Sequence, residues 1–381
     1  VTRRQFVGAL SAAAYVGHRF SGANVGAHVG HRFSGAEAQD DVVTLYDRAI
    51  VIDALANPGS MNVSWPPRGP LSQKQRDAIA ASGITAINVT VSADFEGSVR
   101  NIALWQGEAD RYPTLLSIVR RHEDIARAKK DKTLGLMLGF QNTDMIERDL
   151  SRLDLFYRLG IRIIQLTYND RNLVGDGCLE PGNAGLSSFG RQVVERMNAL
   201  GIAVDLSHCG TQTTADGIAA STRPPLITHS GCREVFRHPR SKEDRELKAM
   251  ADKGGVVGIY FMPFIGPGPG APTVEMLLRQ IDHAIKVCGT DHVGIGSDLS
   301  VTPIEETPEY LKEHKSFVDA RARRGISAPE ESRPLFIPEL NHPRRLEGVV
   351  RGLRQRKHST DVIEKVIGGN FHRVFKEIWT L

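Results

Sequence analysis

With 381 residues, 41% hydrophobic and 24% charged, the chain has the composition of a globular protein large enough for one α/β barrel or two smaller domains. Its net charge of +4, with both signs interspersed, leaves no basic footprint for nucleic acid, and no apolar run reaches the roughly 18–20 residues needed to span a membrane. The four cysteines, Cys178, Cys209, Cys232 and Cys288, lie far apart with no C-x-x-C pair, which fits neither a zinc ribbon nor a dense disulfide framework. Buried thiols, or one or two disulfides in an oxidising compartment, are the readings left.

The first 40 residues read as an export signal preceding a single folded domain over 41–381. Residues 2–7 (T-R-R-Q-F-V) form a twin-arginine pattern, 6–17 are weakly apolar and rich in Ala and Gly, and Ala36-Glu37-Ala38 suits cleavage after Ala38. The expectation is an exported protein, periplasmic or extracellular; the plain alternative is a stray arginine pair on a terminus. Within this segment V-G-H-R-F-S-G-A at 16–23 recurs at 29–36. It reads as a local duplication, too short for a solenoid.

From residue 41 short apolar runs alternate with helical patterns. A helix over 43–49 leads into a first strand, 50–53, and a helix over 72–82 precedes a second strand, 84–91. A long helix is predicted over 98–121, with Pro113 marked as a point where it can pause, then strand 134–140 with the polar tip Gln141-Asn142-Thr143. A helix over 146–159 leads to strand 161–167, which ends in Tyr168-Asn169-Asp170. A glycine-rich loop follows, then a helix over 187–200 capped by Ser187 or Ser188. The fifth and sixth strands end at His208 and His229, with a helix over 213–221 between them. A helix starting near Ser241 is ended by Gly254, and strands over 255–261 and 292–298 flank a helix over 274–287. Beyond Asp298 the chain is polar and Pro-rich to about 343, with helices predicted over 346–356, 359–367 and 371–379 and a turn at Gly368-Gly369-Asn370. The arginine-rich runs at 321–324 and 351–357 read as solvated faces. Eight apolar runs, each ending in polar residues and each followed by a helix, are the pattern of a (β/α)8 barrel, an α/β fold whose chemistry sits at the C-terminal ends of its strands. The runner-up is a doubly wound sheet, against which counts the lack of G-x-G-x-x-G after the first strand.

Three strand tips offer metal ligands: His208, His229 and Asp298. Two imidazoles and a carboxylate with an open position suit zinc. Each has an ordinary alternative, a helix cap or a loop histidine. Asp205 reads as a carboxylate that bonds backbone or orients a histidine. Cys209, pointing away from its neighbour His208, reads as packing.

The stretch 201–261 resembles the membrane (renal) dipeptidase family. The matching pieces are V-D-L-S-H at 204–208, T-H-S at 228–230, H-P-R at 238–240, K-G-G-V-V-G-I at 253–259, D-H-V-G-I-G-S-D at 291–298 and G-G-N-F-x-R-V at 368–374. The resemblance implies a (β/α)8 barrel holding zinc, with a small peptide-like substrate and a homodimer as the expected partners. It implies that His208 and His229 bind one zinc, that Asp298 binds metal and handles the catalytic proton, and that Arg240 grips the substrate carboxylate. The family's first strand ends in H-x-D, where this chain has Leu55 and Asn57; its third ends near a bridging glutamate, where this chain has Gln141; and its L-T-H is Leu166-Thr167-Tyr168 here. These departures resemble a bacterial subgroup and imply one zinc ion rather than two. Tyr168 is then a candidate pocket phenol for a tetrahedral intermediate, with a core tyrosine as the alternative, and Asn57 and Gln141 are candidate polar lining for substrate. Two functions follow: an exported zinc-dependent hydrolase of dipeptides or related amides, or a repurposed barrel that binds a small carboxylated ligand.

Overall fold

Leu134–Phe140 is buried along its whole length, and a strand covered on both faces belongs inside a parallel sheet wrapped by helices. The structure, a computed structural model, describes residues 35–59 and 70–380. The expected twin-arginine segment lies outside the described residues, and the expected cleavage pattern falls at the start of the first helix, Gly35–Arg48. Eight strands of a nine-stranded sheet form the ring, here β1 (Ile52–Asp53), β2 (Ala86–Thr90), β3 (Leu134–Phe140), β4 (Ile161–Gln165), β5 (Ala203–Asp205), β6 (Leu226–Ser230), β7 (Val256–Ile259) and β8 (Val293–Ile295). They pair in parallel and in chain order. The ring is drawn together between its first and last strands by Ala54 N–H donating to Ile295 O at 2.8 Å. Beyond the tips, Ala56–Asn57 pairs in parallel with Leu299–Ser300. This is the expected (β/α)8 barrel, with alternating helices packed outside it. No described helix is long and apolar enough to cross a membrane.

The last helix, Asn370–Ile378, closes the N-terminal end of the barrel. Phe371, Val374, Phe375 and Ile378 form one buried cluster with Ile52, Ala86, Met137, Ile163, Ala203, Leu226 and Val256, one residue from each of the first seven strands. The eighth strand makes room instead: a Cβ on Gly294 would lie 2.5 Å from the Phe371 ring. Full burial of each phenylalanine is worth roughly 1.5–3 kcal/mol. With this end plugged, the opposite mouth is the open one.

Several predicted elements differ from those observed. The helix expected over 98–121 stops at Arg111. Pro113 follows, an extra strand Leu116–Ile118 pairs with β3, and a second helix, His122–Asp131, comes next. The segment expected to be a helix from 146 starts with a 3₁₀ turn, Asp144–Ile146, and becomes α-helical at Ser151–Leu159. The turn expected at Gly368-Gly369-Asn370 does appear, as a kink: Gly368, at φ 167° and ψ −25°, leaves the helical conformation between Thr360–Glu364 and the last helix. Most consequential for the site, the polar stretch after Asp298 contains a helix, Pro308–Arg323. Pro308 sits in its first turn, and the Thr307 hydroxyl accepts from Tyr310 N–H. Among its residues only His314 is classed as buried, so no apolar stripe announces it.

Candidate metal centre and active site

Asp205 ends β5, and the chain turns through Ser207 to His208 before the next helix, Thr211–Ala220. On the neighbouring β6, Thr228 and His229 lie inside the strand. Both imidazoles are buried, and their Nε2 atoms stand 2.9 Å apart. What surrounds each ring fixes its tautomer. Asn169 Nδ2 donates to Ile326 O at 2.8 Å, which turns its Oδ1 toward His208 Nδ1 at 2.6 Å. An amide oxygen only accepts, so His208 carries its proton on Nδ1. For His229, Thr228 Oγ1 donates to Asp205 Oδ2 at 2.6 Å and therefore accepts from His229 Nδ1 at 2.9 Å. Asp205 is held in turn by Ser207 N–H, the Ser207 hydroxyl and Thr228 N–H. A close approach also shapes this corner: a Cβ on Gly296 would lie 1.9 Å from Thr228 O.

Both Nε2 atoms therefore present lone pairs to each other. Burial, then the Arg240 charge, pushes both imidazoles well below their usual pKa, so a proton is a poor bridge. Two converging neutral imidazoles, each oriented through its other nitrogen, are a donor set made for a cation such as zinc. Asp205 thus orients a histidine, through Thr228, as its sequence position suggested.

His208 faces a cavity of about 310 Å³ at the open mouth, whose lining includes Gln141, Tyr168, Arg240, Asp298, Phe317 and Arg321. Tyr168 stacks on His208, with ring centroids 4.2 Å apart, so it is a cavity residue rather than a remote core tyrosine. Arg240 is buried and donates to Ser207 O at 2.6 Å and His229 O at 3.3 Å. That uses two of its five N–H groups. Its backbone N–H donates to His238 Nδ1 at 3.1 Å, and His238 Nε2 donates to Pro329 O at 3.0 Å.

Asp298 has φ +63°, in the left-handed region that a non-glycine residue rarely adopts. Its N–H donates to Leu55 O at 2.8 Å. Burial pushes its carboxyl up to about 7, opposed by the Arg240 and Arg321 charges. Asp298 lines the same cavity as His208 but does not close with the imidazoles into the expected three-ligand set. Among the described residues, the one trio of His, Cys, Asp or Glu donors lying within 4.8 Å of one another is Glu234, Asp244 and His283. None of the three lines the cavity, and His283 Nε2 already contacts Asp244 Oδ1 at 2.7 Å.

Gln141 lines the cavity as expected of a polar wall residue. Asn57 is not among the lining residues: it is buried beside Leu299–Ser300, and its Oδ1 accepts from Gly59 N–H at 2.8 Å. The loop turn takes the oxygen of the amide that sequence position alone offered to substrate. Leu55 is buried hydrocarbon. Sequence reasoning missed Asn169 and Thr228, whose roles depend on partners far along the chain, and Arg321. The last is not a solvated face: its guanidinium clasps Glu331 and donates to the Tyr168 hydroxyl.

His238 makes stability depend on pH. Burial pushes its imidazole down to about 4, with the Pro329 carbonyl opposing and Arg240 assisting. In the unfolded chain a histidine titrates near 6.5. Between those values the unfolded state binds the extra proton, so His238's contribution is complete above pH ~6.5 and drains away as pH falls toward ~4, on the order of 3 kcal/mol in all. Urea unfolding at pH 7.5 and pH 5 should show about 2 kcal/mol of this loss, and His238→Gln should shrink it. Equal pH dependence in the two proteins would refute the assignment.

Fold and site together define a (β/α)8 barrel whose open mouth carries a cation-competent imidazole pair. The sequence model of the membrane dipeptidase family, peptidase family M19, matches residues 71–331. The chain belongs to that family. It is 26% identical over 289 residues to dipeptidase tcpJ of Claviceps purpurea, an alignment covering 75% of this chain and 61% of that protein; the chain therefore spans less than two thirds of the length of this relative. An amidohydrolase of Pseudomonas aeruginosa is 30% identical, with a TM-score of 0.77 over 89% of this chain and 99% of its own. A metallopeptidase of Rhodobacter sphaeroides, solved with a phosphinate mimic of L-Ala-D-Ala, shares the fold at 17% identity, with a TM-score of 0.69 over 87% of this chain and 100% of its own.

Proposed function

We propose that this protein is a metal-dependent hydrolase of dipeptides or related amide bonds, using one metal ion held by His208 and His229. The observation that carries the reading is the pair of Nε2 lone pairs meeting at 2.9 Å, each imposed by a hydrogen bond on the far side of its ring. Zinc bound there supplies Lewis acidity, polarising a carbonyl and making water a nucleophile at neutral pH. The protein's own groups divide the remaining work. The spare N–H groups of Arg240 suit a substrate carboxylate in bidentate fashion. Asp298, a carboxylate in the same cavity, is the group to carry a proton from water to the leaving amine. The Tyr168 hydroxyl offers a hydrogen bond to the oxygen on which charge develops. One ion rather than two is supported by the hydrocarbon at Leu55, by Asn57 turned into its own loop, and by the amide of Gln141 in place of a carboxylate.

Those same three residues favour a second reading, a barrel that binds a carboxylated ligand without cleaving it. Elemental analysis of the purified protein, followed by assay of L,L- and L,D-dipeptides with and without added zinc, separates the two. Hydrolysis with about one metal per chain is expected. Metal-free protein that cleaves nothing would sink the hydrolase, and two metals per chain would overturn the single-ion assignment. The arginine pair at Arg3-Arg4 supports export ahead of the barrel, which fractionation of cells expressing the full chain tests.

A further inference from the structure

We infer that Arg321, held in place by Glu331, is a positioning residue that turns the Tyr168 hydroxyl proton into the cavity beside the imidazole pair. The inference rests on the hydrolase reading and adds to it a residue from outside the barrel strands.

Arg321 lies in the last turn of the helix Pro308–Arg323. Its Nε donates to Glu331 Oε2 at 3.0 Å and one terminal nitrogen donates to Glu331 Oε1 at 2.7 Å, a bidentate clasp. That terminal nitrogen also donates to Ile326 O at 3.1 Å, and the Ser327 hydroxyl steadies the carboxylate at 2.8 Å. Both partners of the ion pair are nearly buried, with 11% and 9% of their side chains exposed. A guanidinium fixed on two edges cannot swing. Its remaining terminal nitrogen donates to the Tyr168 hydroxyl at 3.0 Å.

A guanidinium only donates, so Tyr168 must accept from it. The phenol keeps one O–H of its own, and among the described residues nothing accepts from it. With its ring stacked on His208 and one side of its oxygen taken by Arg321, that proton is directed at the cavity. Donating to a hydroxyl also strengthens the bond the hydroxyl gives onward. Loss of Arg321 frees the hydroxyl to rotate and removes this polarisation, while Arg240 keeps its own contacts; Ile326 O loses one of its two donors and keeps Asn169 Nδ2, so metal content reports whether His208 is disturbed.

The test compares Arg321→Met, Arg321→Lys, Tyr168→Phe and the double variant Y168F/R321M, with metal content and melting temperature recorded for each. Two readouts are used: dipeptide hydrolysis, and calorimetric affinity for a phosphinate dipeptide analogue, which needs no turnover. Arg321→Met should lower kcat and phosphinate affinity by about tenfold or more at unchanged metal content, leaving KM within about twofold. Lysine should restore part of the loss, and in the Tyr168→Phe background removing Arg321 should cost nothing further. Equal losses in both backgrounds, or a lysine variant no better than methionine, overturn the proposal. Should Arg321→Met not fold, Glu331→Gln takes its place: it should weaken phosphinate binding in wild type and have no added effect with Tyr168→Phe, and any other pattern counts against the inference. A parent protein that hydrolyses dipeptides and is matched by Arg321→Met overturns this inference alone. A parent that binds the phosphinate without cleaving dipeptides removes the hydrolase, while the affinity comparison still decides Arg321. A parent that does neither removes both.

Discussion

His208→Ala should yield a folded protein that no longer holds metal and no longer hydrolyses dipeptides. Among the described residues, His208 at the cavity and His229 behind it are where two buried imidazole Nε2 atoms meet, and a single histidine is a poor site for zinc. Folding should survive because the barrel core lies below these side chains, in the apolar clusters that pack the strands against the helices and against the terminal helix. A subtler variant tests the geometry. Asn169→Ala removes the acceptor that holds the His208 proton on Nδ1 and the amide that pins Asn169 to Ile326 O, and should weaken metal affinity by roughly 10–100-fold, the usual cost of losing an outer hydrogen-bond partner. Elemental analysis and a competition titration with a chelator measure both effects. Unchanged metal content in His208→Ala would show that the ion, if bound, sits elsewhere.

The second large effect lies at the seam of the barrel. Asp53 ends β1 with no solvent exposure, and Arg345, 2% exposed, meets its Oδ2 at 2.9 Å. Ser297 N–H donates to Oδ1 at 2.7 Å and its hydroxyl to Oδ2 at 2.5 Å. The other terminal nitrogen of Arg345 donates to Ser300 O at 2.7 Å. Strands one and eight are thereby tied to the helix Arg345–Gln355, immediately beside Asp298. Arg345→Met strands a buried carboxylate and should cost about 3–5 kcal/mol in urea unfolding at neutral pH. The paired change D53N/R345M removes both charges and should recover a large part of that loss. A single variant within about 1 kcal/mol of wild type would show that water reaches Asp53 and that the seam does not depend on the pair.

Much of the barrel can be read along the chain because its determinants are local. Each strand is a short apolar run between glycine, proline or polar residues, and β3 occupies the very residues, 134–140, that its unbroken hydrophobicity marks out. The same holds for caps: Ser187 accepts from Gly190 N–H at the start of Ser188–Leu200. The pause at Pro113 was legible, but the strand behind it was not. Pro113 ends one helix, and the next three residues with partners join the sheet, because pairing with β3 outweighs their local preference.

The identity of His208 and His229 as a pair also lies in the sequence, in two apolar runs that each end in a histidine and in spacings that resemble a known family. What they point at, and how each carries its proton, does not. That depends on Asn169 and Thr228, and on Ile326 and Asp205 behind them, groups that meet only when neighbouring strands and a distant loop fold over one mouth. Arg321 is the sharpest case. In the sequence it sits in a run of charged residues that reads as solvated, because nothing local distinguishes a paired arginine from a free one. Only the tertiary structure carries it over the barrel to Tyr168, where a buried carboxylate offsets the cost of taking its charge out of water. The sequence by itself determined the scaffold and the residues with ligand chemistry; long-range burial and hydrogen bonding decided which of them face one another.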